Sequence, residues 1–144
     1  MAKVAEVQEY IDPATKGYTV TIDGRTYTVG DGLGEGVANL GAHFTAAAAI
    51  PLVVNVSFAA ELASGVTKDA ARDEAEAAIE EYFKGLVLDT VEAADIVVRV
   101  SAIGAILSGL QTILDYSDLK LNGAATNIVP SENDVPVIGE VSIL

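Results

Sequence analysis

Residues 52–88 place the strongest constraint on the fold. From Leu52 to Leu62 the side chains alternate, with Val54, Val56, Phe58, Ala60 and Leu62 on one face and Asn55, Ser57 and Glu61 on the other. A period of two fits a strand with one buried face. The period then changes. From Lys68 to about Leu88, Ala71, Ala75, Ala78, Ile79, Tyr82, Phe83 and Leu86 recur as one helical stripe, and Thr67 stands where an N-cap belongs. Asp69, Arg72, Asp73, Glu76, Glu80, Glu81 and Lys84 fill the rest of the surface, with acidic residues early, where the helix dipole favours them. A half-buried strand followed by a helix with one apolar face calls for a layer of helices on a sheet.

The remaining elements extend that plan. Ile96–Val100 is a short β-rich run, and Ser101 can cap a small-residue helix through about Leu110, in which Gly104 and Gly109 cost stability unless they allow close packing. Leu114–Leu121 and Val135–Ile143 read as strands, with Asn122-Gly123 as a turn. The order from about residue 52 is β-α-β-α-β-β. The expected class is α+β, a mixed, mainly antiparallel sheet with two helices on one face.

Upstream, a short helix over 3–11 ends at Asp12-Pro13, because the residue before proline is pushed out of the α region. Two β runs flank Asp23-Gly24, a dipeptide that favours a two-residue hairpin turn. Pairing across it sets Ile22 opposite Arg25, Val20 opposite Tyr27 and Tyr18 opposite Val29. Thr21 then meets Thr26 and Thr19 meets Thr28 on the other face. Residues 30–41 (GDGLGEGVANLG) read as an irregular loop, Ala42–Ala49 as a strand, and Ile50-Pro51 as the turn into the next. Two segments are expected, residues 1–50 and residues 51–144.

Composition excludes several classes of function. A chain of 144 residues that is 51% hydrophobic can bury a core, so disorder is not expected. A net charge of −13, with singly scattered basic residues, opposes nucleic acid and anionic membranes as partners. The absence of cysteine removes disulfides, thiol catalysis and thiolate metal sites, and is consistent with a cytosolic product. No run approaches the roughly 18 apolar residues that span a bilayer. The start of the chain lacks a signal-peptide core, so export by a classical route is not expected.

Each candidate for chemistry has a simpler explanation. Gly30, Gly32, Gly34, Gly36 and Gly41 suggest a phosphate cradle, but no G-x-G-x-x-G or P-loop window occurs, and Asp31 and Glu35 would repel a phosphate. A calcium site using Asp31, Glu35 and backbone carbonyls is the alternative there, and would make the chain a small soluble binding module working through loop 30–41, although calcium wants six or more oxygens. His43 is the single histidine, in an apolar stretch beside Phe44, and cannot make a two-histidine metal site. The carboxylates Asp69, Asp73, Glu74, Glu76, Glu80 and Glu81 share one helix and read as a solvated face; glycosidase pairs come from opposite walls of a cleft. Asp115, Asp118 and Asn122 read as shaping a strand entry. No catalytic, cofactor-binding or metal-ligating residue is assigned, and no cofactor is expected.

Val98-Arg99-Val100-Ser101-Ala102-Ile103, the apolar helix after it, Leu114–Gly123 (LDYSDLKLNG), Asn127-Ile128-Val129-Pro130 and Val135–Gly139 (VPVIG) follow one another in an order that resembles the C-terminal part of the baseplate J-like proteins of contractile phage tails. Val7–Pro13 (VQEYIDP), Gly32–Ala42 (GLGEGVANLGA) and the helix from Thr67 to Leu86 are similar to further segments of that family, in its Gram-positive prophage branch. The hairpin at 18–29 departs from it as an insertion. The resemblance implies a C-terminal fragment of a longer structural protein, not an enzyme. It also implies other baseplate wedge and hub proteins, and copies of itself, as partners. No nucleic acid, membrane or small-molecule substrate is implied. The implied location is the virion tail baseplate, assembled in the bacterial cytoplasm. Exposed strand edges and the acidic helix are the expected contact surfaces, in a wedge that rearranges when the sheath contracts.

Overall fold

A computed structural model describes residues 2–89, 96–131 and 133–144. The chain forms two compact units, Met1–Ala49 and Ile50–Leu144.

In the first unit, α1 (Ala2–Ile11) precedes a hairpin of β1 (Thr19–Ile22) and β2 (Arg25–Thr28). The hairpin register is Thr19↔Thr28, Val20↔Tyr27, Thr21↔Thr26 and Ile22↔Arg25, as the Asp23-Gly24 turn dictates. One further bond, from Val29 N to Tyr18 O at 2.9 Å, closes the ladder. Tyr27 is the hairpin's buried anchor. Residues 30–41 are irregular, as expected. The strand expected over Ala42–Ala49 is not formed. Side chains take up its backbone instead: Phe44 N donates to Asp12 Oδ2 at 2.9 Å, and Ala46 N donates to Gln8 Oε1 at 2.7 Å.

In the second unit the elements are β3 (Ile50–Leu62), α2 (Lys68–Asp89), α3 (Val100–Gly109), β4 (Ile113–Leu121) and β5 (Asp134–Ile143). The sheet order is β4-β3-β5, with β4 antiparallel and β5 parallel to the central strand. Ile50-Pro51 is not a turn but the start of β3. Ile50 N donates to Asn133 O at 2.8 Å, so alternate residues from Ile50 bond toward β5. Pro51 therefore turns its missing N–H to the other side, where pairing with β4 begins only at Val56.

Val54, Val56 and Phe58 of β3 are fully buried. They meet Ala71, Ala75, Ile79 and Phe83 of α2, Ile103 and Leu107 of α3, Ile113, Leu119 and Leu121 of β4, and Val141 of β5. Both helices thus seal one face of a mixed sheet, the α+β class that the alternating pattern requires. Thr67 Oγ1 accepts the Ala70 N–H at 3.2 Å and caps α2. Gly104 allows close packing, because a Cβ there would lie 2.2 Å from the Tyr116 hydroxyl oxygen.

One expected strand is lost. Val98 makes a single bridge to Ile128, with both N···O distances 2.9 Å, and Val100 already begins α3. The order is therefore β-α-α-β-β. Ser101 is not the cap either. The Val100 N–H donates to Asn127 Oδ1 at 3.0 Å, so a side chain distant in sequence satisfies the helix start.

Replacing Phe58 with alanine leaves a cavity where three strands and two helices meet. The expected cost is about 3–5 kcal/mol, measured by denaturant unfolding of the full chain. A cost below about 1 kcal/mol would contradict this assignment of the core.

Candidate functional site

Of the residues singled out for chemistry, Asp31 and Glu35 lie in the glycine-rich loop and His43 just after it. The Asp31 carboxylate is buried and already occupied. Its Oδ2 accepts the Thr15 N–H at 2.9 Å and the Thr15 hydroxyl, and its Oδ1 accepts the Lys16 N–H at 3.1 Å. Glu35 is exposed. The His43 ring is half occupied by structure, with Nδ1 2.8 Å from the Gly30 carbonyl oxygen, which makes it the donor.

Sequence reasoning missed the centre of this loop. Asp12, read only as a helix end, is buried and bonds to two segments distant in sequence. Its Oδ1 accepts from Gly32 N at 3.0 Å and its Oδ2 from Phe44 N at 2.9 Å. A Cβ at Gly30 would sit 1.9 Å from Asp12 Oδ2, so only glycine lets the loop approach that carboxylate. Gln8, also buried, donates to Asp12 O at 2.6 Å and Phe44 O at 3.0 Å. Asp-Pro after a helix was the one local hint of this arrangement. These carboxylates tie the chain together through amides and leave few lone pairs for a cation.

The acidic residues of α2 lie along a solvated helix. Arg72 reaches Asp69 at 3.0 Å and Asp73 at 3.6 Å, and Lys84 reaches Glu80 at 2.9 Å. The Glu80 hydrogen bond and charge raise the Lys84 pKa above its ordinary value. Glu74 accepts the Thr112 hydroxyl. Glu76 and Glu81 form no ion pair among the described residues. Asp115, Asp118 and Asn122 are not brought together around a common point. Asp115 Oδ1 accepts the Tyr116 N–H at 2.8 Å, and Asp118, at φ +52°, is the extra residue where β4 shifts register between Ser57 and Ala59 of β3. Among the described residues no group of three or more His, Asp or Glu is placed to hold a metal.

The Thr15 hydroxyl holds the Asp31 carboxyl below its usual pKa. Burial partly opposes this, while the Lys16 and Thr15 amides and the Lys16 charge add to it. A carboxyl depressed on folding stabilises the fold above its unfolded value of about 4. That contribution disappears as pH falls through the lower folded value. Asp31→Asn is therefore expected to flatten the acid limb of the first unit's unfolding below about pH 4. Thermal melts from neutral to strongly acidic pH check it. An unchanged acid limb would contradict the role given to Asp31.

Against this geometry, the model of the baseplate J-like protein C-terminal domain matches residues 54–144, nearly all of the second unit. Two curated proteins of Bacillus subtilis (strain 168) are similar over almost the whole chain. The uncharacterized protein YqbT is 31% identical over 143 residues, 98% of this chain. The phage-like element PBSX protein XkdT is 29% identical over 143 residues, again 98% of this chain. The chain spans 34% of the length of each relative. The matched stretch contains the buried part of β3 from Val54 on, both helices that seal it and the two outer strands, and by that match the chain belongs to the baseplate J-like family.

Proposed function

We propose that this chain is a structural part of a contractile phage tail or phage-like baseplate, without catalytic residues or a cofactor. It would serve in wedge assembly around the central hub and rearrange when the sheath contracts. The observation that carries this reading is the family match over residues 54–144, a stretch that contains the whole buried core of the second unit. The phage-like element named for one relative supports it. In this reading the chain is the C-terminal part of a longer protein, divided functionally near residue 50, and its partners are other wedge and hub proteins and copies of itself. Its place is the tail baseplate of a virion assembled in the bacterial cytoplasm.

The contact surface is better sought on α2 than on the sheet edges. β4 shifts register against β3 at two places, and β5 shifts between Val54 and Val56 of β3. Pro136, by the alternation set at Ile50, turns its missing N–H to the outer edge. Such interruptions make poor templates for an added strand. Asp69, Asp73, Glu80 and Glu81 of α2 instead face solvent, and opposite charge on a neighbour would give register and a fast encounter.

Two genetic changes in an inducible particle test this. Deleting the segment that encodes residues 54–144 is expected to abolish complete baseplates, and intact contractile particles would refute the structural role. Reversing charge at Glu76, Glu80 and Glu81 is expected to impair assembly while costing stability only about 1 kcal/mol per site, the range of the exposed Glu80–Lys84 pair that it breaks. Normal assembly by that variant would exclude the α2 face as the contact surface.

A further inference from the structure

Asn122 is the only asparagine in the chain followed by glycine; Asn39, Asn55, Asn127 and Asn133 precede Leu, Val, Ile and Asp. The turn explains the pair. Asn122 lies at φ +49° and Gly123 at φ +82°, and Leu121 and Ala124 exchange N–H···O bonds of 2.8 and 3.0 Å across them. Positive φ at both central residues is the hairpin geometry that selects Asn-Gly.

The Asn122 side chain has a second task. The last rung between β3 and β4 is Val56↔Leu121. Beyond it, Asn122 N donates to Asn55 O at 2.9 Å, and the Asn122 carboxamide completes the next rung. Its Oδ1 accepts the Asn55 N–H at 2.8 Å, and its Nδ2 donates to Val53 O at 3.2 Å. Asn55 in turn uses its own Oδ1 to accept Glu140 N at 2.9 Å, in the irregular part of β5. Two asparagines therefore tie all three strands together on the solvent side of the sheet. The rung requires a donor at Nδ2, which a carboxylate cannot supply.

We propose that Asn122 is a site of spontaneous covalent modification, restrained by the fold, whose reaction removes this rung. The Gly123 backbone nitrogen, unhindered by a Cβ, attacks Asn122 Cγ after losing its proton to solvent. The N–Cγ bond forms, the Cγ–Nδ2 bond breaks, and Nδ2 leaves as ammonia with a proton from water. Water then opens the five-membered succinimide at either carbonyl. One product is an aspartate in the ordinary chain, and the other an isoaspartyl linkage that routes the backbone through the side-chain carbon. The net change is one water consumed and one ammonia released, with no redox partner. In the folded chain both ends of the carboxamide are held by β3, so the reaction waits for the end of β4 to fray. Afterwards an oxygen faces the Val53 carbonyl in place of a donor, and a further negative charge joins a chain already at −13.

The test ages the full chain at mildly alkaline pH, folded and in denaturant, and follows ammonia release and the one-dalton mass gain peptide by peptide. The expected result is modification at Asn122 ahead of every other asparagine, roughly 25-fold slower in the folded chain, since each of two hydrogen bonds is worth about fivefold. Asn122→Asp is expected to raise the unfolding equilibrium constant by about tenfold. If that variant does not accumulate, the modified fraction of aged parent protein, separated by anion exchange, provides the same comparison. Equal rates folded and unfolded, equal modification at another asparagine, or a modified chain as stable as the parent would each overturn the proposal.

Discussion

The second unit depends on one strip of side chains on one strand. Val54, Val56 and Phe58 lie at the centre of a three-stranded sheet and are closed off from water by helices on one face. A strand in that position needs neighbours on both sides and a cover above it. β4 and β5 supply the neighbours, while the apolar stripe of α2 and the small, apolar α3 supply the cover. Because the hydrophobic term scales with area removed from water, this strip fixes where the strands and helices can lie. The sheet's other face carries the asparagine ties and remains in contact with solvent.

The first unit works on a different principle. Its buried set includes Tyr27 but also Gln8, Asp12 and Asp31, and these three polar side chains bond to the backbone of segments far apart in sequence. One amide donor aimed at the Asp12 carboxylate and one aimed at the Gln8 carboxamide replace the strand ladder that Ala42–Ala49 was expected to form. Charge-assisted bonds of this kind are stronger than neutral ones and hold irregular backbone where no ladder can. The cost is specificity of sequence: glycine at position 30 leaves room for Asp12, and a side chain would not.

Features decided by neighbouring residues were legible in the sequence. The hairpin register follows from Asp23-Gly24, the α2 cap from Thr67, and the buried faces from periods of two and of 3.6. Features decided by one distant side chain were not. Asn127 starting α3, Asp12 gathering the loop and Asn122 standing in for a strand residue each need the tertiary fold before their role exists. The extra strand expected at Ile96–Val100 failed for a related reason: its apolar residues pack, but among the described residues it pairs only through the single bridge to Ile128. The order of segments read as resembling the baseplate J-like proteins was sound, because it rested on the whole succession of elements and not on any one motif.

A domain whose substance is a packed sheet-and-helix core, with an acidic helix facing solvent, suits a building block. The chain spans 34% of the length of both curated relatives. The most direct measurement is quantitative mass spectrometry of contractile particles purified from the strain that encodes the chain. The account predicts peptides from both units at a fixed ratio to the sheath subunit across preparations. Complete particles from which these peptides are absent would contradict it.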